Sequence, residues 1–183
     1  MNQPPTTEIR TEQSTVVYRN RWMTVREDHV VRADGSSGIF GVVEKPDFAV
    51  IAAFEAGKLV LVEQYRYPVK ARQWELPQGS WEGQDIDPLT LAKAELLEET
   101  GLVAGTMLHA GHLLLASGYS NQGYDVYFAS GLTQSETALD PEEQGLVAHA
   151  FPLAEVEAMI RSGSIQDATS VAALGLLRIK GLL

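Results

Sequence analysis

The stretch that decides the fold reads Glu75-Leu-Pro-Gln-Gly79, then Asp87-Pro-Leu89, then Glu95-Leu-Leu-Glu-Glu-Thr-Gly-Leu102. Asp87 is a good helix N-cap, the proline that follows it is accepted at the first helical position, and Gly101 suits a helix end. These signals predict a helix over residues 88–100. The helix follows a loop that contains proline and glycine.

Three glutamates lie on one face of this predicted helix. Glu95, Glu98 and Glu99 are spaced i, i+3, i+4, so their side chains are neighbours. Like charges in this arrangement cost about 0.2–0.5 kcal/mol per pair, a cost that a bound cation reverses. Mg²⁺ prefers carboxylate, water and phosphate oxygens, and Mn²⁺ suits the same ligands. The spacing predicts a metal site, with a solvated helix face as the alternative.

Together, the loop, cap, glutamate triplet and glycine stop resemble the Nudix box. In that family the helix holds Mg²⁺ or Mn²⁺ for hydrolysis of nucleoside diphosphates linked to another group. The resemblance implies that Glu95, Glu98 and Glu99 bind the metal. It also implies that Gln78, next to Gly79, offers its main-chain carbonyl to the metal.

The box is non-standard in its loop. The family has a Glu six positions after its Gly and an Arg directly before the first helix Glu, where this chain has Asp85 and Ala94. Counting back from Glu95 places Ile86 at the family's Glu position, so the loop holds one extra residue. In the family, this Glu and this Arg hold the loop against the helix. We interpret the two differences as a change in that contact, with the metal-binding carboxylates retained.

Other segments resemble the ADP-ribose pyrophosphatase branch, which hydrolyses nucleoside diphosphate sugars. They are Val62-Glu-Gln-Tyr-Arg-Tyr-Pro68, Trp74-Glu-Leu-Pro77, Ser117-Gly-Tyr-Ser-Asn-Gln122 and Gly163-Ser-Ile-Gln-Asp-Ala168. The resemblance implies that Arg66 contacts the diphosphate and that Glu75 lies near the nucleotide end. Tyr119 would line the sugar site, and Gln122 stands where the branch often has Glu. A surface salt bridge is the alternative for Arg66, and ordinary packing is the alternative for Tyr119.

The hydrolysis reaction also requires a catalytic base. Sugar-nucleotide members of the family commonly bring a Glu from a late loop over the metal, which directs attention to the acidic segment 140–143. Glu143 is the first choice and Glu142 the second, while Glu98 of the helix is a further candidate. The alternative is that this proline-containing acidic stretch is a solvated turn.

The N-terminal part divides into two regions. Residues 1–15 are polar and lack periodicity, which predicts a flexible tail or a loosely attached strand. Residues 16–45 form a β-rich section, with Asp34-Gly35 as a hairpin turn. This section resembles the part of ADP-ribose pyrophosphatases that exchanges between subunits, so a homodimer is expected. Trp22 would stack on the base, with core packing as the alternative.

Residues 46–183 form the predicted Nudix domain, an α/β/α sandwich with a mixed β-sheet. Strand-length apolar or β-branched runs and amphipathic stretches predict its elements. The predicted strands are 48–54, 58–64, 113–116, 124–129 and 147–151, and the predicted later helices are 153–161 and 167–180.

Composition narrows the class further. The 183 residues carry a formal net charge of -10 and include no cysteine. An acidic surface does not attract nucleic acid or an anionic membrane, and thiolate chemistry is excluded. The N-terminus lacks the basic start and apolar stretch of a secretory signal. We expect a cytoplasmic protein with no nucleic-acid or membrane partner.

Together with the predicted metal site, the resemblance implies a metal-dependent hydrolase that splits the pyrophosphate bond of a nucleoside diphosphate sugar. ADP-ribose is the favoured substrate, and GDP-mannose-type substrates come next. One alternative is a nucleotide-sugar sensor that has the Nudix fold and little or no activity. The other is a pyrophosphatase for nucleoside triphosphates.

Overall fold

The structure is a computed structural model that describes residues 8–80, 86–135 and 145–183. The chain divides into two compact units, each with its own internal contacts. The first unit comprises the chain up to Pro46 together with Leu114–Gly123. The second unit comprises Asp47–Leu113 and Tyr124–Leu183.

In the described residues of the first unit, three antiparallel strands form a sheet in the order β1 (Ile9–Arg19), β2 (Thr24–Arg32) and β3 (Ser37–Glu44). The β2–β3 turn has Gly35 at φ 84°, and the Asp34 carboxylate accepts a hydrogen bond from the Ser36 amide at 2.9 Å. Strand β1 begins at Ile9, so residues 9–15 belong to a strand, the second of the two alternatives predicted for residues 1–15. Backbone pairing with β2 is enough to hold a polar edge strand, and every residue of β1 is exposed.

The described part of the second unit is a mixed sheet with three α-helices. Its strands are β4 (Phe48–Glu55), β5 (Lys58–Arg66), β6 (Ala71–Glu75), β7 (Gln78–Gly79), β8 (Leu102–Leu114), β9 (Gly123–Gln134) and β10 (Val147–Pro152). The helices are α1 (Pro88–Thr100), α2 (Leu153–Ser162) and α3 (Ala168–Ile179). The strand order is β10-β5-β4-β9-β8, with β6 paired to β5 and β7 to β4. Strands β4 and β9 are parallel, while β5 pairs antiparallel with β10, β4 and β6.

Strand β4 shows how helices cover both faces of this sheet. Its residues alternate between two hydrophobic clusters because neighbouring side chains of a strand point to opposite faces. Val50 and Ala52 pack in the cluster that includes residues of α2 and α3. Ala49, Ile51 and Ala53 pack in the cluster built on α1. The predicted α/β/α sandwich with a mixed sheet is confirmed.

Helix α1 is fixed at both ends. The Asp87 carboxylate accepts a hydrogen bond from the Thr90 amide at 3.0 Å, as expected of an N-cap. At the other end Gly101 takes a left-handed conformation with φ 68°, and its amide donates to the Leu97 carbonyl at 2.8 Å. The Gly101 carbonyl accepts in turn from the Ser135 amide at 2.6 Å and from the Gln134 side chain at 3.2 Å.

Strand β8 differs most from its prediction. The sequence predicted a short strand over residues 113–116, whereas β8 runs from Leu102 to Leu114. Its sequence mixes small, polar and glycine residues, and most of its side chains are exposed or half-buried, so it lacks the continuous apolar run of a central strand. None of the helices in the described residues is long and apolar enough to span a membrane.

Candidate active site

The glutamates of α1 are inside the protein. Glu95 is 4% exposed and Glu99 is 2% exposed, while Glu98 is half-buried. A spacing of four residues places Glu95 and Glu99 on the same side of the helix. Carboxylates are rarely buried this far without a specific role, because removing their charge from water is costly.

Strand β7 lies directly against these two carboxylates. Its pairing with β4 joins Gln78 to Val50 and Gly79 to Ala49. The Gln78 amide donates a hydrogen bond to Glu99 Oε2 at 3.0 Å. A Cβ atom at position 79 would overlap the Glu95 carboxylate, which occupies the space that any side chain there would need. This strand therefore bonds to the Glu99 carboxylate and lies in close contact with that of Glu95.

A second cluster of polar side chains surrounds Glu75 at the end of β6. Glu75 is 2% exposed and makes a two-point ion pair with Arg66, with Oε1 at 2.7 Å from the Arg66 terminal nitrogen NH2 and Oε2 at 3.2 Å from Nε. Gln64 donates to Oε1 at 2.7 Å. Arg66 itself is 40% exposed in its side chain. The ion pair predicted as an alternative for Arg66 is present, and its partner is a buried carboxylate.

Burial raises the pKa of the Glu75 carboxyl above its ordinary value. The neighbouring Arg66 guanidinium opposes this shift, and the negative charge of Asp167 adds to it. The carboxyl therefore binds a proton more readily in the folded chain than in the unfolded one. The stability associated with this group is fully present below the unfolded pKa and is lost as pH rises through the folded pKa.

We expect Glu75→Gln to remove this part of the pH dependence. In metal-free protein, the melting temperature of the variant minus that of the parent should increase by a few degrees from about pH 4 to about pH 7. Calorimetry across this range measures it. Glu63→Gln is the matched control, because Glu63 also pairs with an arginine, Arg72, but its side chain is 24% exposed. A difference that stays flat or decreases with pH would contradict the assignment.

The start of α3 reaches the same site. Asp167 caps this helix, and its Oδ2 accepts hydrogen bonds from the amide and hydroxyl of Ser170 at 2.8 and 2.7 Å. The Gln78 side-chain amide donates to the same oxygen at 3.3 Å. The Ser170 hydroxyl also accepts a bond from the Leu76 amide at 2.8 Å. Asp167 raises the pKa of Tyr124 as well, after the larger effect of burial.

A divalent metal ion needs several oxygen ligands around it. Residues 8–80, 86–135 and 145–183 contain no three Asp, Glu or His side chains arranged to hold an ion by themselves. The site offers the buried pair Glu95 and Glu99 instead, next to the backbone of β7. Mg²⁺ is bound by one or two carboxylates and completes its shell with water and substrate phosphates. The two buried carboxylates meet this requirement, so the residues present fit Mg²⁺ or Mn²⁺.

The other predicted binding residues belong to the first unit. Trp22 is 44% exposed, so the core packing considered for it is wrong, and the Arg21 guanidinium lies 4.6 Å from its ring centre. A pocket of about 250 Å³ is lined by residues 20–24 and 44–46. Tyr119 is also exposed rather than packed in the core. Gln122 is buried, and its side-chain amide donates to the Pro46 carbonyl at 2.7 Å.

Some predicted residues fall outside the described ranges. They are the candidate bases Glu142 and Glu143, and Asp85 of the altered box. Within those ranges, Ile86 packs against the cluster that contains α1, and Ala94 is half-buried on that helix.

Sequence reasoning missed Gln64, Asp167 and Ser170 as members of the site. The predicted helix did begin at Asp167, but its partners lie far away in the chain. Gln78 and Leu76 precede Asp167 and Ser170 by 89 and 94 positions, respectively. The local sequence indicated only that Asp167 caps a helix. A capping signal does not show which distant residues the cap also contacts.

Comparison with known proteins agrees with this geometry. Residues 44–174 match the NUDIX domain family, and residues 9–43 match the nucleoside diphosphate sugar hydrolase N-terminal domain. The chain belongs to the Nudix family. This Nudix hydrolase is 30% identical to an ADP-ribose pyrophosphatase of Mycobacterium tuberculosis, over 90% of this chain and 81% of the relative.

Two further comparisons place the Nudix hydrolase among its relatives. It is 30% identical to a methanol dehydrogenase activator of Bacillus methanolicus, over 94% of this chain and 92% of that protein. The crystal structure of an ADP compounds hydrolase superposes with a TM-score of 0.85 at 20% identity, covering 98% of each chain. At this identity the superposition shows the shared fold.

Proposed function

We propose that this Nudix hydrolase splits the pyrophosphate bond of a nucleoside diphosphate sugar, with ADP-ribose as the favoured substrate. The products would be a nucleoside monophosphate and a sugar phosphate. The observation that carries the proposal is the buried pair Glu95 and Glu99 held against β7. Support comes from the relative that is named an ADP-ribose pyrophosphatase and from the match of the N-terminal residues.

Glu95 and Glu99 would hold Mg²⁺ or Mn²⁺, with Glu98 and the Gln78 carbonyl as further oxygen ligands. When bound, such an ion neutralises charge on phosphate oxygens and lowers the pKa of water. The carboxylates contribute fixed negative charge at a buried position. The Gln78 amide, through its bond to Glu99, keeps one of these carboxylates in a defined orientation.

Arg66 would bind the diphosphate. Its guanidinium has five N–H donors, and its Nε and terminal nitrogen NH2 already engage Glu75. The half-exposed side chain leaves donors for phosphate oxygens, while the buried carboxylate fixes the direction of the group. Glu143 is the proposed base that deprotonates the attacking water, with Glu142 or Glu98 in its place if the substitution of Glu143 has no effect on turnover.

Trp22 is the proposed stacking partner of the nucleotide base, because an exposed indole offers a large flat apolar surface. Tyr119 and Gln122 are proposed to act at the sugar. The Gln122 amide nitrogen is already bonded to Pro46, which leaves its oxygen as the atom to contact substrate. A Trp22→Ala variant with an unchanged KM for ADP-ribose would remove Trp22 from the site.

A homodimer is proposed as the working form. Every residue of β1 is exposed in the single chain, including Val16, Val17 and Tyr18. A long exposed edge strand that carries three adjacent apolar side chains is normally covered in the native assembly, and a second copy is the simplest cover. Light scattering on purified protein tests this, and a mass near 20.0 kDa would contradict it.

The test of function is a substrate panel. ADP-ribose, GDP-mannose, UDP-glucose, NAD⁺ and nucleoside triphosphates are incubated with the protein, in Mg²⁺ and in EDTA, and the release of nucleoside monophosphate is measured by anion-exchange chromatography. Mg²⁺-dependent release from ADP-ribose alone or above the others supports the proposal. Binding of a sugar nucleotide without release favours the sensor, and release mainly from triphosphates favours the triphosphate pyrophosphatase.

Gly79→Ala should damage activity far more than it damages the fold. The new Cβ would displace the Glu95 carboxylate, whose flexible end can move aside at modest cost in stability. A shift of this kind is expected to weaken metal binding about tenfold or more. Mg²⁺ titration of turnover and thermal melting in EDTA measure the two effects. Gly41→Ala is the control, since a Cβ there meets no atom within 4 Å. Equal Mg²⁺ dependence in both variants would contradict the role of Glu95.

A further inference from the structure

The segment Leu76–Gly79 carries the backbone that meets both buried carboxylates, yet it belongs to no long element. Strand β7 contributes only Gln78 and Gly79 to this segment. Pro77, which precedes them, has no amide hydrogen to donate. The Pro77 carbonyl accepts from the Ile51 amide at 2.9 Å. Such a short segment needs additional bonds to hold a defined position.

Helix α3 supplies these bonds at both ends of the segment. The Leu76 amide donates to the Ser170 hydroxyl, and the Gln78 side chain donates to Asp167. Ser170 is fully buried and Leu76 is inaccessible to solvent, so water does not replace the first bond. The Ser170 hydroxyl in turn donates a hydrogen bond to Asp167 Oδ2, which joins the two contacts into one network.

We propose that Asp167 and Ser170 are positioning residues that hold the Leu76–Gly79 segment in the geometry required by Glu95 and Glu99. The inference rests on the proposed metal site and extends it to a helix that supplies none of the proposed ligands. From Ser170 the chain of contacts passes through Leu76 and Gln78 to Glu99. A cap at the start of α3 therefore sets the position of the metal carboxylates on α1.

The chain contains a matched control for this idea. Asp87 caps α1 in the same way that Asp167 caps α3: its Oδ2 accepts from the amide and the hydroxyl of Thr90, both at 3.0 Å. In the part of the chain that the structure describes, Asp87 and Thr90 bond to each other and not to the Leu76–Gly79 segment. Comparing Ser170→Ala with Thr90→Ala therefore separates the contact with Leu76 from the general effect of a helix cap.

Two measurements form the test, and both use the full chain. The first is Mn²⁺ binding, followed by the electron paramagnetic resonance signal of the free ion. Ser170→Ala should weaken Mn²⁺ binding about tenfold, the lower range for second-layer partners of a metal site, while Thr90→Ala should change it less than about twofold. The second is hydrogen exchange of residues 72–80 in EDTA, which should become about five- to tenfold faster in Ser170→Ala alone.

The outcomes separate this inference from the proposed function. Unchanged Mn²⁺ binding in folded Ser170→Ala overturns the inference and leaves the proposed function standing. The same conclusion follows if Thr90→Ala loses as much Mn²⁺ affinity as Ser170→Ala. If the parent chain binds no Mn²⁺, the metal assignment fails, and unchanged exchange in Ser170→Ala would then overturn the positioning role as well. If Ser170→Ala does not fold, Asp167→Asn is compared with Asp87→Asn, with two- to threefold weaker Mn²⁺ binding expected in the former only.

Discussion

Glu99→Gln should abolish most turnover of ADP-ribose while leaving the fold intact. Glutamine has nearly the same volume, and its side-chain oxygen can still accept the hydrogen bond from the Gln78 amide. What it lacks is the negative charge that a divalent ion requires of a buried ligand. We expect kcat/KM to fall at least about a hundredfold, because the ion would lose both affinity and orientation.

Stability in EDTA is the second half of this prediction. Glu95 and Glu99 are like charges on one helix face and are both buried. Removing one charge should leave the metal-free melting temperature unchanged or higher, which a purely structural carboxylate would not do. Glu55→Gln is the control, since Glu55 also accepts backbone amides, from Gly131 at 2.7 Å and Leu132 at 3.2 Å, away from the site. Near-normal turnover in well-folded Glu99→Gln would refute the metal assignment.

Arg66→Ala should lower both stability and substrate binding. The substitution leaves the buried Glu75 carboxylate without its cation, so its pKa should rise further. Breaking a buried pair costs about 3–5 kcal/mol, and we expect about 2 kcal/mol here because the Arg66 side chain is 40% exposed and partly screened. Loss of charge-assisted bonds to the diphosphate should reduce kcat/KM by about tenfold to a hundredfold, mainly through KM.

A double variant separates these two effects. Arg66→Ala combined with Glu75→Gln has no buried charge to leave unpaired, so chemical denaturation should show most of the lost stability restored at neutral pH. The KM for ADP-ribose should remain high, since the guanidinium is still absent. Recovery of KM together with stability would show that Arg66 acts only on the fold.

The parts of this fold that could be predicted are those with local signals. Helix α1 was predicted with its observed bounds, because Asp87, Pro88 and Gly101 mark its ends within the sequence itself. Over residues 9–15, strand β1 was predicted only as an alternative to a flexible tail, because its polar residues there carry no alternation. Strand β7 was missed because it is short and depends on a partner elsewhere in the chain.

The site shows the same division between local and long-range information. The spacing of Glu95 and Glu99 is a property of one helix, and it was sufficient to place both on one face. The ion pair of Arg66 with Glu75 joins neighbouring strands, and periodicity alone does not specify which side chains meet. The bonds of Ser170 and Asp167 to a segment about 90 positions away follow from tertiary packing, which the sequence pattern did not reveal.

The hydrogen bonds at both ends of α1 affect how this helix unfolds. Its first turn is capped by Asp87, and its last residue is followed by Gly101, whose carbonyl is bonded to the end of β9. Fraying of this helix toward Glu99 must first break the bonds that join Gly101 to Gln134 and Ser135 at the end of β9. Exchange of its inner amides should therefore require the opening that unfolds the sheet. A ligand held by this helix would raise the thermal stability of the entire second unit rather than that of a single loop.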